Sequence, residues 1–222
     1  LAVLLLLGLL QGCPTTPAPA TPSEGLSAEP VPAPAAPAFS HPSAEERPGV
    51  VRRGDRPLTL LGPALAVGQP APSGTLRGHG FEEVPVDLAD GTVRVVLLVP
   101  SLDTPTCSLE ARTFNERAAG LGEGVEILVV SRDLPPAQER FCAAEGIERV
   151  RALSDYIDGG FGRSWGLLIK ETGLLARAVA VVDAQGIVRA LQIVENIPDE
   201  PDYDAALAAV TALAPAQQRL PQ

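Results

Sequence analysis

The chain has 222 residues, with 17 Lys and Arg against 27 Asp and Glu and a net charge of −10 at pH 7. This acidic balance, without a basic stripe and with only 4% aromatic residues, repels phosphate backbones, so we expect no nucleic-acid partner. Apolar residues make up 45% of the chain, which is enough to bury the core of one compact domain.

The first 13 residues read LAVLLLLGLLQGC. An apolar run of about ten residues is too short to span a bilayer as a folded helix, but it suits the central region of a secretory signal. Gly12 before Cys13 matches a bacterial lipobox, in which the cysteine carries the lipid. Residues 1–13 therefore predict a lipoprotein signal with lipid attachment at Cys13, and an extracytoplasmic, membrane-anchored protein on the periplasmic side. A plain cleaved signal or a membrane anchor is the alternative.

Residues 14–49 are rich in Pro, Ala, Thr and Ser. Proline removes backbone donors, and the segment has too few bulky apolar residues to offset the entropy of ordering. We therefore predict a disordered, mostly extended tether over 14–49 and a folded domain over 50–222.

The first half of the domain predicts short β segments at 59–67 and 84–88, followed by a continuous apolar strand, VRVVLLV, at 93–99. The loop PSLDTPTC then leads into a helix at 107–121, which glycines terminate. Cys107 thus lies in the opening turn of a helix. Free backbone N–H groups and the positive end of the helix dipole favour a thiolate there, which indicates a nucleophilic cysteine.

The second half begins with another apolar strand, VEILVVS, at 125–131. Pro135 and Pro136 suit the first turn of a helix that runs to Gly146 and carries Cys142, 35 positions after Cys107. The remaining predicted elements are a brief strand at Leu153, a short helix at 161–168, strands at 177–183 and 187–194 joined by a hairpin turn, and a final helix at 202–214.

Apolar strands that alternate with helices predict a central sheet covered on both faces, and the late hairpin makes that sheet mixed. The order of the elements favours an α/β, thioredoxin-like fold. A doubly wound nucleotide-binding sheet is the rival, but no GxGxxG or GxxxxGK[ST] motif follows a predicted strand.

Several segments together resemble one family. PSLDTPTC, TFNERA, SRDLPPAQERFCAAEG, GLLARAVAVVD and EPDYDAALAAV occur in the order and at the spacing of the thiol peroxidase branch of the peroxiredoxins, the atypical two-cysteine kind. The resemblance extends from about residue 54 to residue 213. It implies a thioredoxin-like fold of the peroxiredoxin type and a thiol-specific peroxidase that reduces hydrogen peroxide and organic hydroperoxides.

The resemblance also implies a role for each of five residues. Cys107 matches the peroxidatic cysteine that becomes a sulfenic acid, and Cys142 matches the resolving cysteine that forms an intramolecular disulfide with it. Thr104 matches the hydroxyl that holds the peroxide, and Arg177 matches the arginine that stabilises the thiolate. Pro100 matches the proline that shields the substrate pocket from water.

The same resemblance implies a peroxide substrate, a thioredoxin-like reductant and a homodimer. We expect no cofactor, since the two histidines, His41 and His79, do not make a metal site. A disulfide needs Cα atoms within about 7 Å, so closure between two helices predicts local unwinding on oxidation.

Two other functions stay open from the residues alone. One is a disulfide exchanger, although the usual C-x-x-C motif is absent, and the other is a non-peroxidase surface lipoprotein with a structural disulfide. We expect Glu110 to be solvated, and Phe161 and Trp165 to belong to the core.

Overall fold

The computed structural model describes residues 45–121 and 124–217. Cys13, the predicted signal and residues 14–44 of the predicted tether lie outside the described residues. Among the described ranges, no helix is both long enough and apolar enough to cross a bilayer.

Apart from a 3-10 helix at His79–Phe81, the described chain forms ten strands and four α-helices. In order they are β1 (Glu46–Arg53), β2 (Arg56–Leu61), β3 (Gly74–Arg77), β4 (Glu83–Val86), β5 (Val93–Leu98), α1 (Pro105–Ala118), β6 (Val125–Ser131), α2 (Pro135–Glu145), β7 (Val150–Ser154), α3 (Gly160–Ser164), β8 (Leu168–Ile169), β9 (Ala178–Val182), β10 (Val188–Ile193) and α4 (Tyr203–Gln217).

Seven strands form one sheet in the order β10-β9-β5-β6-β7-β3-β4. Strand β5 lies inside this sheet and pairs in parallel with β6 and antiparallel with β9, so the sheet is mixed, as predicted. All six residues of β5 are buried, as expected of a strand whose two faces are both covered. The predicted hairpin of β9 and β10 and the α/β fold class are confirmed.

The two faces of this sheet carry separate hydrophobic cores, because successive side chains of a strand point to opposite faces. Val96 and Leu98 of β5 belong to the first core, together with Phe161 and Trp165, which are buried as expected. The second core lies beneath α1 and α4, and Cys107 belongs to it.

A smaller sheet, in the order β1-β2-β8, includes residues assigned to the tether. Strand β1 begins at Glu46, four positions before the predicted boundary at residue 50. Antiparallel pairing with β2 holds this strand in place. Val51 is the only buried residue of the strand. A strand with one buried side chain has no apolar alternation, which is why the sequence pattern did not reveal it.

The strand pairing places three functional segments at one edge of the large sheet. Because β5 and β6 are parallel, the loops that lead from them into α1 and α2 emerge at the same edge. Strand β9 runs in the opposite direction, and its first residue, Ala178, pairs with Leu98 at the end of β5. Arg177 therefore lies beside the loop that leads to Cys107.

Candidate active site

Cys107 is the third residue of α1, after the N-cap residue Thr104 and Pro105 at the first helical position. The amide of Ser108 donates to the carbonyl of Thr104 over 2.9 Å. The amides of Thr106 and Cys107 precede this first helical hydrogen bond and so have no acceptor within the helix. The sulfur therefore lies at the positive end of α1, as the sequence predicts.

Arg177 contacts the sulfur directly. Its Nη2 donates to Cys107 Sγ over 3.3 Å, and both side chains are buried, with exposed fractions of 2% and 0%. Burial opposes the charge on Arg177, but the Glu110 carboxylate and the Cys107 sulfur outweigh this effect and raise the pKa of the guanidinium. The arginine thus stays charged, and its donors are fixed in advance around the sulfur.

Glu110 is not solvated, contrary to the expectation from sequence. It is fully buried and accepts a hydrogen bond from Nη1 of Arg177, while its Oε1 has no partner among the described residues. Burial raises the pKa of Glu110 to about 7, although Arg177 opposes the shift. The signal that could have revealed this position is the buried helix face formed by Cys107, Glu110, Ala111 and Phe114, which recur at helical spacing.

The segment between β10 and α4 forms another wall of the site, and sequence reasoning missed it. The carbonyl of Ile197 accepts from Arg177 Nε over 3.2 Å, and the carbonyl of Pro198 accepts from Thr106 Oγ1 over 3.1 Å. The segment thus orients both the arginine and the start of α1.

Glu200 lies in the same segment and accepts a hydrogen bond from the Tyr203 hydroxyl over 2.9 Å. Burial raises the pKa of Tyr203, and this hydrogen bond raises it further. Glu200 also contributes to the raised pKa of Glu110.

Thr104 stands at the N-cap, but its hydroxyl makes no capping bond to the helix. The hydroxyl instead donates to the carbonyl of Ser101 over 2.9 Å. Since the proton of the hydroxyl is engaged in this bond, its oxygen remains available as an acceptor. Pro100 is buried just after the end of β5.

Cys142 lies on α2, and its side chain is half-buried. It packs against the same hydrophobic core as Cys107, and burial raises the pKa of its thiol. Neither Cys107 nor Cys142 is in a disulfide. Helix α2 ends just beyond Cys142, at Gly146, whose φ of 63° is the left-handed conformation that glycine adopts readily.

Comparison with known proteins gives consistent matches. The Redoxin family model matches residues 66–207, which include both cysteine-bearing helices and Arg177. The chain is 44% identical over 156 residues to a thiol peroxidase of Halalkalibacterium halodurans, covering 70% of this chain and 93% of that protein. It is 45% identical over 157 residues to a thiol peroxidase of Streptococcus pneumoniae, covering 71% and 96%. The crystal structure of a peroxiredoxin-like protein from Aquifex aeolicus is similar, with a TM-score of 0.71 and 41% identity over 76% of this chain and 99% of that chain.

Proposed function

This chain belongs to the Redoxin family and is a thiol peroxidase, and on that premise we propose that Cys107 attacks the peroxide and Cys142 resolves the product. The observation that carries the proposal is the hydrogen bond from Arg177 to a sulfur at the start of a helix. This geometry supports a thiolate as the resting nucleophile.

In the first step, the thiolate of Cys107 attacks one oxygen of hydrogen peroxide or of a small organic hydroperoxide. An S–O bond forms and the O–O bond breaks, and the leaving oxygen takes a proton to become water or an alcohol. Arg177 and the free amides at the start of α1 stabilise the negative charge that moves through the transition state. Thr104 accepts a hydrogen bond from the peroxide, and Pro100 shields the sulfur from water.

In the second step, the Cys142 thiol condenses with the sulfenic acid of Cys107, which forms a disulfide and releases water. This step keeps the sulfur on the reversible part of the oxidation ladder. Because the Cα atoms must approach to within about 7 Å, we infer that parts of α1 or α2 unwind first. A thioredoxin-like dithiol then reduces the disulfide and is itself oxidised to a disulfide.

The test compares the wild type with Cys107→Ser and Cys142→Ser. We expect the wild type to lose two thiols for each peroxide reduced and to turn over with a thioredoxin-like reductant. The Cys142→Ser variant should react once, to the sulfenic acid, and then stop, while the Cys107→Ser variant should consume no peroxide. Peroxidase activity that persists in Cys107→Ser would overturn the proposal.

We also propose that Cys13 carries a lipid, that residues 14–49 include a tether, and that the enzyme works outside the cytoplasm. The pattern LAVLLLLGLLQGC and the Pro- and Ala-rich segment after it support this proposal. Metabolic labelling with a radioactive fatty acid should mark the wild type and fail to mark Cys13→Ala. A Cys13→Ala variant that is labelled as strongly as the wild type would exclude the anchor at this position.

We further propose a homodimer, which the peroxiredoxin resemblance supports. Light scattering on the purified, delipidated protein should give twice the mass of one chain, which is 23.0 kDa when the signal is included. A single species at the monomer mass over a wide concentration range would contradict the dimer.

A further inference from the structure

One carboxylate, that of Asp133, anchors the loop that leads to Cys107. Asp133 lies between β6 and α2. Its Oδ1 accepts from Ser101 Oγ over 2.7 Å, and its Oδ2 accepts from the amide of Leu102 over 2.7 Å. Ser101 and Leu102 belong to the loop between β5 and α1, so the carboxylate connects the ends of two adjacent parallel strands.

The anchored loop in turn orients Thr104. The carbonyl of Ser101 accepts from both the amide of Thr104, over 3.2 Å, and its hydroxyl, over 2.9 Å. The direction of the Thr104 hydroxyl therefore depends on where Ser101 lies. Ser101 is held on one side by Asp133 and on the other by Thr104.

The same carboxylate is connected to the helix that carries Cys142. Its Oδ2 also accepts from Ser131 Oγ over 2.8 Å, and Ser131 Oγ accepts from Gln138 Nε2 over 2.9 Å. Gln138 is buried on α2, with 2% of its surface exposed, one helical turn before Cys142. A second bond from Gln138 Nε2, to the carbonyl of Leu153 over 2.9 Å, fixes this amide.

The chemistry of these contacts requires a carboxylate. Three donors from Ser101, Leu102 and Ser131 converge on the two oxygens of Asp133. An ionised carboxylate accepts on both oxygens, whereas an asparagine of the same shape has one oxygen and would direct an NH2 group at one or more of these donors. Hydrogen bonds to an ionised group are also stronger than neutral ones, so the loop is held firmly.

We propose that Asp133 is a positioning residue for peroxide reduction, which acts through Ser101 to aim the Thr104 hydroxyl at the peroxide bound beside Cys107. This inference rests on the proposed function, since it assigns to Asp133 a part in the first chemical step. Asp133 does not touch the reacting atoms, and neither Cys107 nor Arg177 depends on it for a hydrogen bond.

The test measures a single turnover in a Cys142→Ser background, where oxidation stops at the Cys107 sulfenic acid. We expect Asp133→Asn to lower the second-order rate constant for hydrogen peroxide by about 10- to 100-fold, the cost of a misplaced reacting group. Ser101→Ala should also lower it. The variant that combines Asp133→Asn with Ser101→Ala should have a rate constant no lower than that of Asp133→Asn alone, because both substitutions break the same chain of contacts.

Asp103→Asn is the matched control. Asp103 lies in the same loop and is exposed, and among the described residues its carboxylate accepts no hydrogen bond. The substitution removes the same charge near the site and should leave the rate constant unchanged. If Asp103→Asn slows the reaction as much as Asp133→Asn does, net charge is the cause and the inference is wrong.

A second readout separates positioning from loss of structure. Alkylation of Cys107 by iodoacetamide needs the thiolate but not a hydroxyl that binds peroxide, so its rate and pH profile should be the same before and after Asp133→Asn. If alkylation changes in parallel with peroxide oxidation, Asp133 acts by holding the fold, and the inference fails. Should Asp133→Asn not fold, the same pair of measurements on Ser101→Ala decides.

The outcomes also distinguish this inference from its premise. If the Cys142→Ser protein does not react with peroxide, the proposed function and the role of Asp133 are both wrong. If the Cys142→Ser protein reacts rapidly, and reacts equally rapidly after Asp133→Asn is added, the proposed function stands and only the role of Asp133 is wrong.

Discussion

Arg177 Nη2 lies 3.3 Å from Cys107 Sγ, although the two residues are 70 positions apart in the chain. The contact arises from the sheet, in which the first residue of β9 pairs with the last residue of β5. The residue just before strand β9 thus supplies the cation, and the start of a helix supplies the sulfur. Because both parts are held by secondary structure, the charge environment of the sulfur exists before a peroxide arrives.

The planar fork of Arg177 should matter beyond its charge. Its three nitrogens donate to Cys107, Glu110 and Ile197, which a lysine ammonium on a flexible stem cannot reproduce together. We expect Arg177→Lys to lower the rate constant of Cys107 oxidation by about 100-fold, measured by stopped flow. Arg189→Lys is the control, since Arg189 is about half exposed and pairs with the buried Asp183 away from the sulfur. Equal rates for wild type and Arg177→Lys would show that charge alone suffices.

Glu110 should make stability depend on pH. Burial raises the pKa of Glu110 from 4.5 to about 7, so between these values the folded state keeps a proton that the unfolded state has lost. The contribution of Glu110 to the free energy of unfolding is therefore greatest below pH 4.5 and declines as pH rises to about 7, by up to roughly 3 kcal/mol.

Urea denaturation at a series of pH values checks this dependence. The Glu110→Gln variant cannot titrate, so its free energy of unfolding should fall less than that of the wild type across the same interval. Glu116→Gln, an exposed position on the same helix, should retain the wild-type slope. Parallel curves for wild type and Glu110→Gln would show that Glu110 is ionised throughout.

The Thr104 hydroxyl can be tested by a pair of substitutions. Thr104→Val keeps the shape of the side chain but removes the hydroxyl and its bond to Ser101, and we expect peroxide oxidation of Cys107 to slow by about 100-fold. Thr104→Ser keeps the hydroxyl and should recover most of the rate. Thermal unfolding of both variants checks that the fold is retained. A fast Thr104→Val enzyme would remove the hydroxyl from the mechanism.

Asn115 should resist the unwinding that the disulfide requires. From α1, its Oδ1 accepts from the amides of Glu148 and Arg149 over 3.0 and 2.8 Å, and its Nδ2 donates to the carbonyl of Gly146 over 3.3 Å. Asn115→Ala should lower the free energy of unfolding by about 2 kcal/mol, the value of two or three hydrogen bonds.

The same substitution should speed disulfide formation once the sulfenic acid has formed, because the end of α2 opens more readily. Trapping of the sulfenic acid over time measures this rate. Arg117→Ala removes a surface ion pair between α1 and α4 and should leave the rate unchanged. If Asn115→Ala is less stable but forms the disulfide no faster, the end of α2 does not need to open.

The sequence was most informative where a local pattern determines the local structure. Strand β6 matches its predicted bounds, and α2 begins at Pro135 and ends before Gly146, because apolar runs, proline and glycine act on their own neighbours. Strand β1 and the two-residue β8 escaped prediction because strand pairing, rather than their own composition, holds them in place.

The residues of the candidate site likewise differ in how well the sequence could predict them. The position of Cys107 at the start of a helix follows from the strand and loop before it, whereas the role of Arg177 came only from family resemblance. Ile197 and Pro198 contribute backbone carbonyls, which leave no side-chain signature to detect. Glu110 was misjudged because a carboxylate near the start of a helix is commonly solvated, while here the helix face turns it onto a buried arginine.

The different exposure of the two sulfurs should divide their reaction partners by size. Cys107 has no exposed surface, so we expect a small peroxide to reach it more readily than the disulfide of another protein. Cys142 is only partly buried, so a bulky protein dithiol can reach this sulfur more readily. We therefore expect the mixed disulfide with a reductant to form at Cys142, so that oxidants enter the cycle through one sulfur and electrons through the other.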